Sequence, residues 1–113
     1  MHGTSDDAIT PEITRHRARV EKTLARLLEE TDSDATLAEI QHVIFNEDGE
    51  RPFIAYVMHL VELFGSGADR HIDALIPAIQ DAWNYFPHKR LAGSCPAALM
   101  LKHVPGLRPS DLP

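Results

Sequence analysis

Apolar residues Ile13, Val20, Leu24, Leu27 and Leu28 recur at spacings of three, four and seven, with Glu, Arg, Lys and Thr filling most positions between them. A stripe of that period predicts an amphipathic helix. Thr10 is its natural N-cap and Pro11 its first helical residue, where a missing N–H costs nothing; it reaches about Glu30. Thr31-Asp32-Ser33-Asp34 is a polar break, and a second helix is expected from about Ala35 with Leu37, Ile40, Val43 and Ile44 on its apolar face. Asn46-Glu47-Asp48-Gly49 reads as a turn, because Asn, Asp and Gly tolerate the backbone angles that turns need. From Pro52 to about Phe64 the chain is apolar on most helical faces, which predicts a third helix at the centre of the fold, stopped by Gly65. An alternative hairpin would pair Val43-Ile44-Phe45 with Phe53 to Val57. The second run continues through Met58, His59, Leu60 and Glu62, and that favours the helix.

A fourth helix is expected after Ser66-Gly67, carrying Ile72, Leu75, Ile76, Ile79 and Trp83. Pro77 lies inside it and predicts a kink or a split; Pro87 ends it. Ser94 is a candidate cap for a short fifth helix, Cys95 to about His103. Pro105, Gly106, Pro109 and Pro113 mark a non-helical end. The expected organisation is a flexible arm over 1–9, a helical domain over 10–104 and a flexible Pro-rich tail over 105–113. The fold class is all-α, a single compact bundle of four to five helices.

Composition narrows this picture. With 113 residues, 43% hydrophobic and 25% charged, there is material for one core of ordinary globular character. The net charge of −6, from 17 acidic against 11 basic residues, opposes nucleic-acid binding through phosphate neutralisation and binding to an anionic membrane surface. A single cysteine, Cys95, excludes an internal disulfide and fits a reducing compartment. The start, Met1 to Asp7, lacks the pattern of a signal peptide, and the run Phe53 to Leu63 is about half of what spans a bilayer. A cytoplasmic location is the expectation.

Candidate chemistry is sparse. Of the seven histidines, His16, His42, His59, His71, His88 and His103 stand singly, with no pair at the i, i+4 spacing that sets two ligands on one helical face. His59 with Glu62, and Asp69, His71 and Asp73, are the best local metal candidates, although Asp near a helix start is also ordinary dipole chemistry. Cys95 lies near a predicted helix N-terminus with His88 close in sequence, a setting that can activate a thiol; a small buried hydrophobe is the plainer role. Gly65-Ser66-Gly67 lacks the lysine of a phosphate loop. The carboxylate pairs Glu29-Glu30 and Glu47-Asp48 are expected in exposed, turn-like settings. These patterns weigh against an enzyme and call for no cofactor and no metal.

Two basic clusters remain: Arg15, His16, Arg17 and Arg19, and His88-Lys89-Arg90. Arg15, Arg19 and Lys22 line one face of the first helix, either as a solvated face balanced by Glu12, Glu21 and Glu29 or as an anion contact. The densest stretch runs from Asp81 to Ala97. Trp83 and Phe86 offer large apolar area there, while Asn84 and His88 are suited to hydrogen-bonding loop carbonyls and amides. These residues are expected to lock one turn between two helices. The pattern W-N-x-F-P-H-K-x-L-x-G-x-x-P over Trp83 to Pro96 resembles a segment of small helical bacterial proteins, some carrying a C-terminal Cys/His-rich SEC-C zinc motif. It also resembles the Y-N-x-x-R-P-H-x-x-L-G-x-x-x-P tail of integrase-type transposases. Both resemblances imply a bacterial, mobile-element setting. Neither carries a catalytic residue over, and the SEC-C cysteines have no counterpart after Pro96.

Three functions follow in order. The first is a protein-protein interaction module (an adaptor, inhibitor or regulatory subunit) whose partner is another protein. Its candidate contact residues are Arg15, Arg19, Asn84, His88, Lys89 and Arg90, with homo-oligomerisation through the helix-one stripe as a variant. The second is a nucleic-acid accessory protein using the basic clusters. The third is a metal- or thiol-dependent enzyme drawing on His59, Glu62, His71, Asp73, His88 and Cys95.

Overall fold

A computed structural model describes residues 10–108 and Asp111; the expected arm at 1–9 and most of the last five residues lie outside the described part. The chain is an all-α bundle of five helices: α1 (Pro11–Glu30), α2 (Leu37–Phe45), α3 (Phe53–Glu62), α4 (Ile72–Tyr85) and α5 (Pro96–His103). Short 3-10 segments cover Gly65–His71 and Lys89–Leu91, and the described residues contain no strand, so the hairpin alternative does not occur.

Helix α1 forms as its sequence dictates. The Thr10 hydroxyl accepts from the Ile13 amide at 3.2 Å, Pro11 opens the helix, and Ile13, Val20, Leu24, Leu27 and Leu28 are all buried. Helix α2 starts slightly later than Ala35, because Thr36 rather than the earlier polar residues caps it. Thr36 and Glu39 form a reciprocal capping box that satisfies two otherwise orphaned amides. The Ser33 hydroxyl donates instead to the Leu63 carbonyl at 2.6 Å, tying the α1–α2 loop to the end of α3. Gly67 makes the same junction possible from the other side. A Cβ there would stand 2.7 Å from the Thr31 carbonyl oxygen, so only glycine lets the 3-10 segment meet the end of α1.

Several expectations are corrected. The residues after Gly65 form a 3-10 segment, and α4 begins only at Ile72; it then runs as one helix through Pro77 to Tyr85, so the chain is not split there. Pro77 removes one amide from the ladder, but it and Asp73, whose carbonyl loses that donor, are both exposed, so water can replace the bond. The centre of the fold is α4, not α3: α4 packs against α1, α3, α5 and the first 3-10 segment, whereas α2 leans on α1. Helix α3 buries Tyr56, Val57, Leu60 and Val61 but leaves Phe53, Ile54 and Met58 in solvent. The fifth helix has Cys95, not Ser94, at its cap position, and the thiol is fully buried. After α5 the chain leaves the helical path, yet Leu107 still packs against the core.

The core joins α1 to α4 through Leu24, Leu27, Leu75 and Ile79, each essentially inaccessible. The apolar stripe of α1 is therefore core and offers no interface. Leu24→Ala should remove about 3 kcal/mol of stability, the usual cost of emptying a fully packed leucine site. A denaturant melt showing a loss below about 1 kcal/mol would place Leu24 outside the cooperative core.

Candidate functional site

The most unusual chemistry of the fold is a carboxylate inside it. Glu47, one residue past the Asn46 C-cap of α2, has a side chain with no solvent exposure, correcting the expectation of an exposed turn. Burying a lone carboxylate is expensive, so its partners decide whether it stays charged. His88 Nδ1 lies 2.9 Å from Glu47 Oε2, and the Arg90 guanidinium reaches the same carboxylate with Nε at 3.2 Å from Oε1 and Nη2 at 3.0 Å from Oε2. His88 is itself fully buried, and its Nε2 sits 2.7 Å from the Trp83 carbonyl oxygen. Both neighbours of the ring are oxygen acceptors, so each ring nitrogen is within hydrogen-bond distance of one. Burial pushes the Glu47 carboxyl up; the hydrogen bonds and charges of Arg90 and His88 outweigh that and hold it below the ordinary glutamate value of 4.5.

Local sequence explains why these groups meet. Pro87 stops α4, and the backbone of His88 then closes a small loop: its amide donates to the Ser94 carbonyl at 2.8 Å, while its carbonyl accepts from Leu91 and Gly93. Ala92 and Gly93 both take left-handed angles, with φ of 57° and 85°. Trp83 covers the imidazole edge-on with ring centroids 4.9 Å apart and also contacts the Tyr56 and Phe53 rings. On the opposite loop, Gly49 has φ 73°, and a Cβ there would come within 2.9 Å of Arg90 Nε; glycine gives both the turn and the passage for the guanidinium. Next to it the Tyr56 hydroxyl donates to Asp48, and this bond, with one from the Glu50 amide, lowers the Asp48 carboxyl too. The triad thus clasps the α2–α3 turn to the α4–α5 loop.

The residues singled out in the sequence fall into three places. His88 belongs to the interior and Asn84 is half-buried. Lys89 is exposed, and Arg90 is half-exposed with its charge spent on Glu47. Arg15 pairs with Glu12 at 3.3 Å, while Arg19 approaches His16 at 3.5 Å on the side of α1 that borders α4. Among the described residues no hydrogen bond or ion pair joins the α1 arginines to the loop, so the two basic clusters do not form one bonded patch.

The other chemical candidates are looser. His59 and Glu62 stand 4.0 Å apart with both side chains largely in water, and no group of three or more His, Cys, Asp or Glu among the described residues is arranged to hold a metal ion. A cavity of about 190 Å³ between α1 and α4 is lined by His16, Arg19, Asp81 and Tyr85 among others. His16 stacks on the Tyr85 ring, and burial raises the Asp81 carboxyl against the opposing charge of His16. Arg17 fastens this region by donating to the Tyr85 carbonyl at the end of α4.

A shallow groove of about 390 Å³ lies between the outer face of α2 and Pro87, lined by Ala38, Gln41, His42, Phe45 and Pro87. Phe45 is 39% exposed there. Sequence reasoning missed both this groove and Glu47. The groove-forming positions on α2 are not among those on its buried apolar face, and Glu47 hid inside a turn signal.

These features define a class: a five-helix bundle whose α2–α3 and α4–α5 loops are clamped by a buried carboxylate between a histidine and an arginine. No family model matches the chain, and neither a curated protein nor a solved structure does. No helix among the described residues is long and apolar enough to cross a membrane.

The clasp has a measurable energetic signature. Removing one partner of a buried ion pair strands the other, so Glu47→Ala and His88→Ala should each cost about 3–5 kcal/mol, and Arg90→Ala, whose side chain is half in water, distinctly less. Because the Glu47 carboxyl is depressed in the folded state, its contribution is complete above about 4.5 and disappears as pH falls from there through the lower folded value. Urea melts from pH 7 to 3 should show that loss in the wild type and a flatter profile in Glu47→Gln. Equal slopes would mean that the carboxylate is not the acid-sensitive element.

Proposed function

We propose that this protein is a small interaction module that takes an apolar side chain, flanked by carboxylates, of a partner protein into the groove between α2 and Pro87. One observation carries the reading: an apolar wall made of exposed Phe45, at the end of α2, and Pro87, next to the clamped His88. A wall held in place before binding loses little conformational entropy on contact, and such preorganisation favours recognition. The partner's charge follows from the surroundings. The groove lining contains no carboxylate although the chain as a whole carries −6, and the exposed Lys89 stands two residues beyond Pro87. An acidic flank would meet His42 and Lys89 and avoid the rest of the surface. Adaptor, inhibitor and regulatory subunit all fit such a module.

The test uses the full chain with a photo-crosslinking residue at Gln41, on the groove wall, and another at Arg26, which lies on α1 and does not line the groove. A defined protein crosslinked from Gln41 but not from Arg26, and lost on Phe45→Ser or Lys89→Glu at unchanged melting temperature, is the expected outcome. Crosslinking that is equal at both positions, or indifferent to Phe45→Ser, would remove the groove from the reading.

A further inference from the structure

The outward side of α3 carries a pattern that neither the core nor the groove uses. Ile54 is 61% exposed and Met58 48% exposed, and they stand four residues apart on one helical face. Ala55, small and half-buried, lies beside them, and Glu62 continues the same face one turn beyond Met58. Arg51 precedes the helix by two residues and is exposed. The face therefore reads, from its N-terminal end, as cation, isoleucine, methionine, anion.

The two charges stand at the wrong ends for an isolated helix. A helix N-terminus carries partial positive charge and favours acidic residues, while its C-terminus favours basic ones. Helix α3 has no acidic residue in its first turn, has Arg51 just before it, and ends on Glu62. Within the chain Arg51 makes no ion pair among the described residues, although its charge helps lower the Asp48 carboxyl, and Glu62 has the 4.0 Å approach of His59. Both charges are badly placed for their own helix and well placed for an antiparallel copy of it.

We propose that α3 pairs with α3 of a second copy of this chain across a two-fold axis near Ala55 and Tyr56. In such an isologous contact residue i meets j while j meets i. Ile54 of each copy covers Met58 of the other, and Arg51 of each meets Glu62 of the other, so one contact buries four apolar side chains and forms two ion pairs. Ala55 lets the helices approach closely, and methionine adapts its shape to the opposing isoleucine. The interface is one helix pair, smaller than the roughly 800 Å² per partner of a standard stable complex. With −6 on each copy, the dimer is weak and concentration-dependent. The groove beside Pro87 takes no part in it, so this inference stands apart from the proposed function.

Sedimentation equilibrium of the full chain over a wide concentration range reads the result directly. The wild type should move from monomer to dimer, and Ile54→Lys/Met58→Lys should stay monomeric with an unchanged helical spectrum and melting temperature. Arg51→Glu and Glu62→Arg should each weaken the dimer about tenfold, since every reversal strikes two symmetric contacts. Combining them should restore it, because the pattern is then self-complementary again with the signs exchanged. A wild type that is monomeric at every concentration overturns the proposal. So does a dimer that survives the lysine pair, or a double reversal no stronger than the singles.

Discussion

The Glu47 carboxylate is the constraint to which the upper half of this fold is fitted. A single charge taken out of water would be too costly to keep, and here it is matched by His88 and Arg90 from a loop forty-one residues away. Such a pair contributes less to net stability than an equally packed apolar pair would. Its stronger effect is on alternatives: any register of the α4–α5 loop that moves His88 leaves both an anion and a ring nitrogen unsatisfied in the interior. The buried ions therefore select one loop conformation. The neighbouring features follow from it, including the left-handed Ala92, the glycine at position 49 and the edge-on Trp83 ring.

The lower half is held by a different physics. Helix α1 lays a continuous apolar stripe on α4, which in turn carries α3 and α5. Here the directional bonds are fastenings on a contact that apolar burial already drives: Thr10 on the Ile13 amide, Ser33 on the Leu63 carbonyl, Arg17 on the Tyr85 carbonyl. Packing gives α4 its place, and α4 presents Trp83 and Pro87 to the clasp. The two regimes meet at the end of that helix. Its last turn is fixed by burial of Tyr85 and Phe86, and His88 and Arg90 just beyond it are fixed by their contact with Glu47.

How much of this was legible in the chain depends on range. Local signals were read well: Thr10-Pro11 as a helix start, the α1 stripe as one face, Pro87 as a stop, and Asp81 to Ala97 as a locked turn. Errors arose where a residue's role is set by something distant. Glu47 sits in Asn-Glu-Asp-Gly, where three turn-forming neighbours make an exposed carboxylate the natural reading, and nothing local reports its burial. The one available signal was indirect. A histidine wedged between a proline and a tight glycine loop, and expected to be bonded, needs an acceptor, and the unassigned acidic residues were the pool to draw it from. The place of α3 failed for a related reason. Its apolar residues on most helical faces suggested a central helix, but apolar content does not say which apolar residues a neighbour covers. Helix α4, with a proline in it and a polar outer side, touches more of the structure.

That last mismatch bears on function. Ile54 and Met58 stand exposed on α3 beyond the residues its packing against the core uses. The excess on α3 begins immediately after the turn that Glu47 fixes, so the clasp sets the position from which Arg51 and Phe53 depart. The same buried carboxylate orients Pro87 on the other side through His88. Two unlike surfaces, one a groove with an exposed phenylalanine and one a helix face with a charge at either end, are thus referred to a single interior anchor. One ionic contact placed between the two loops holds both.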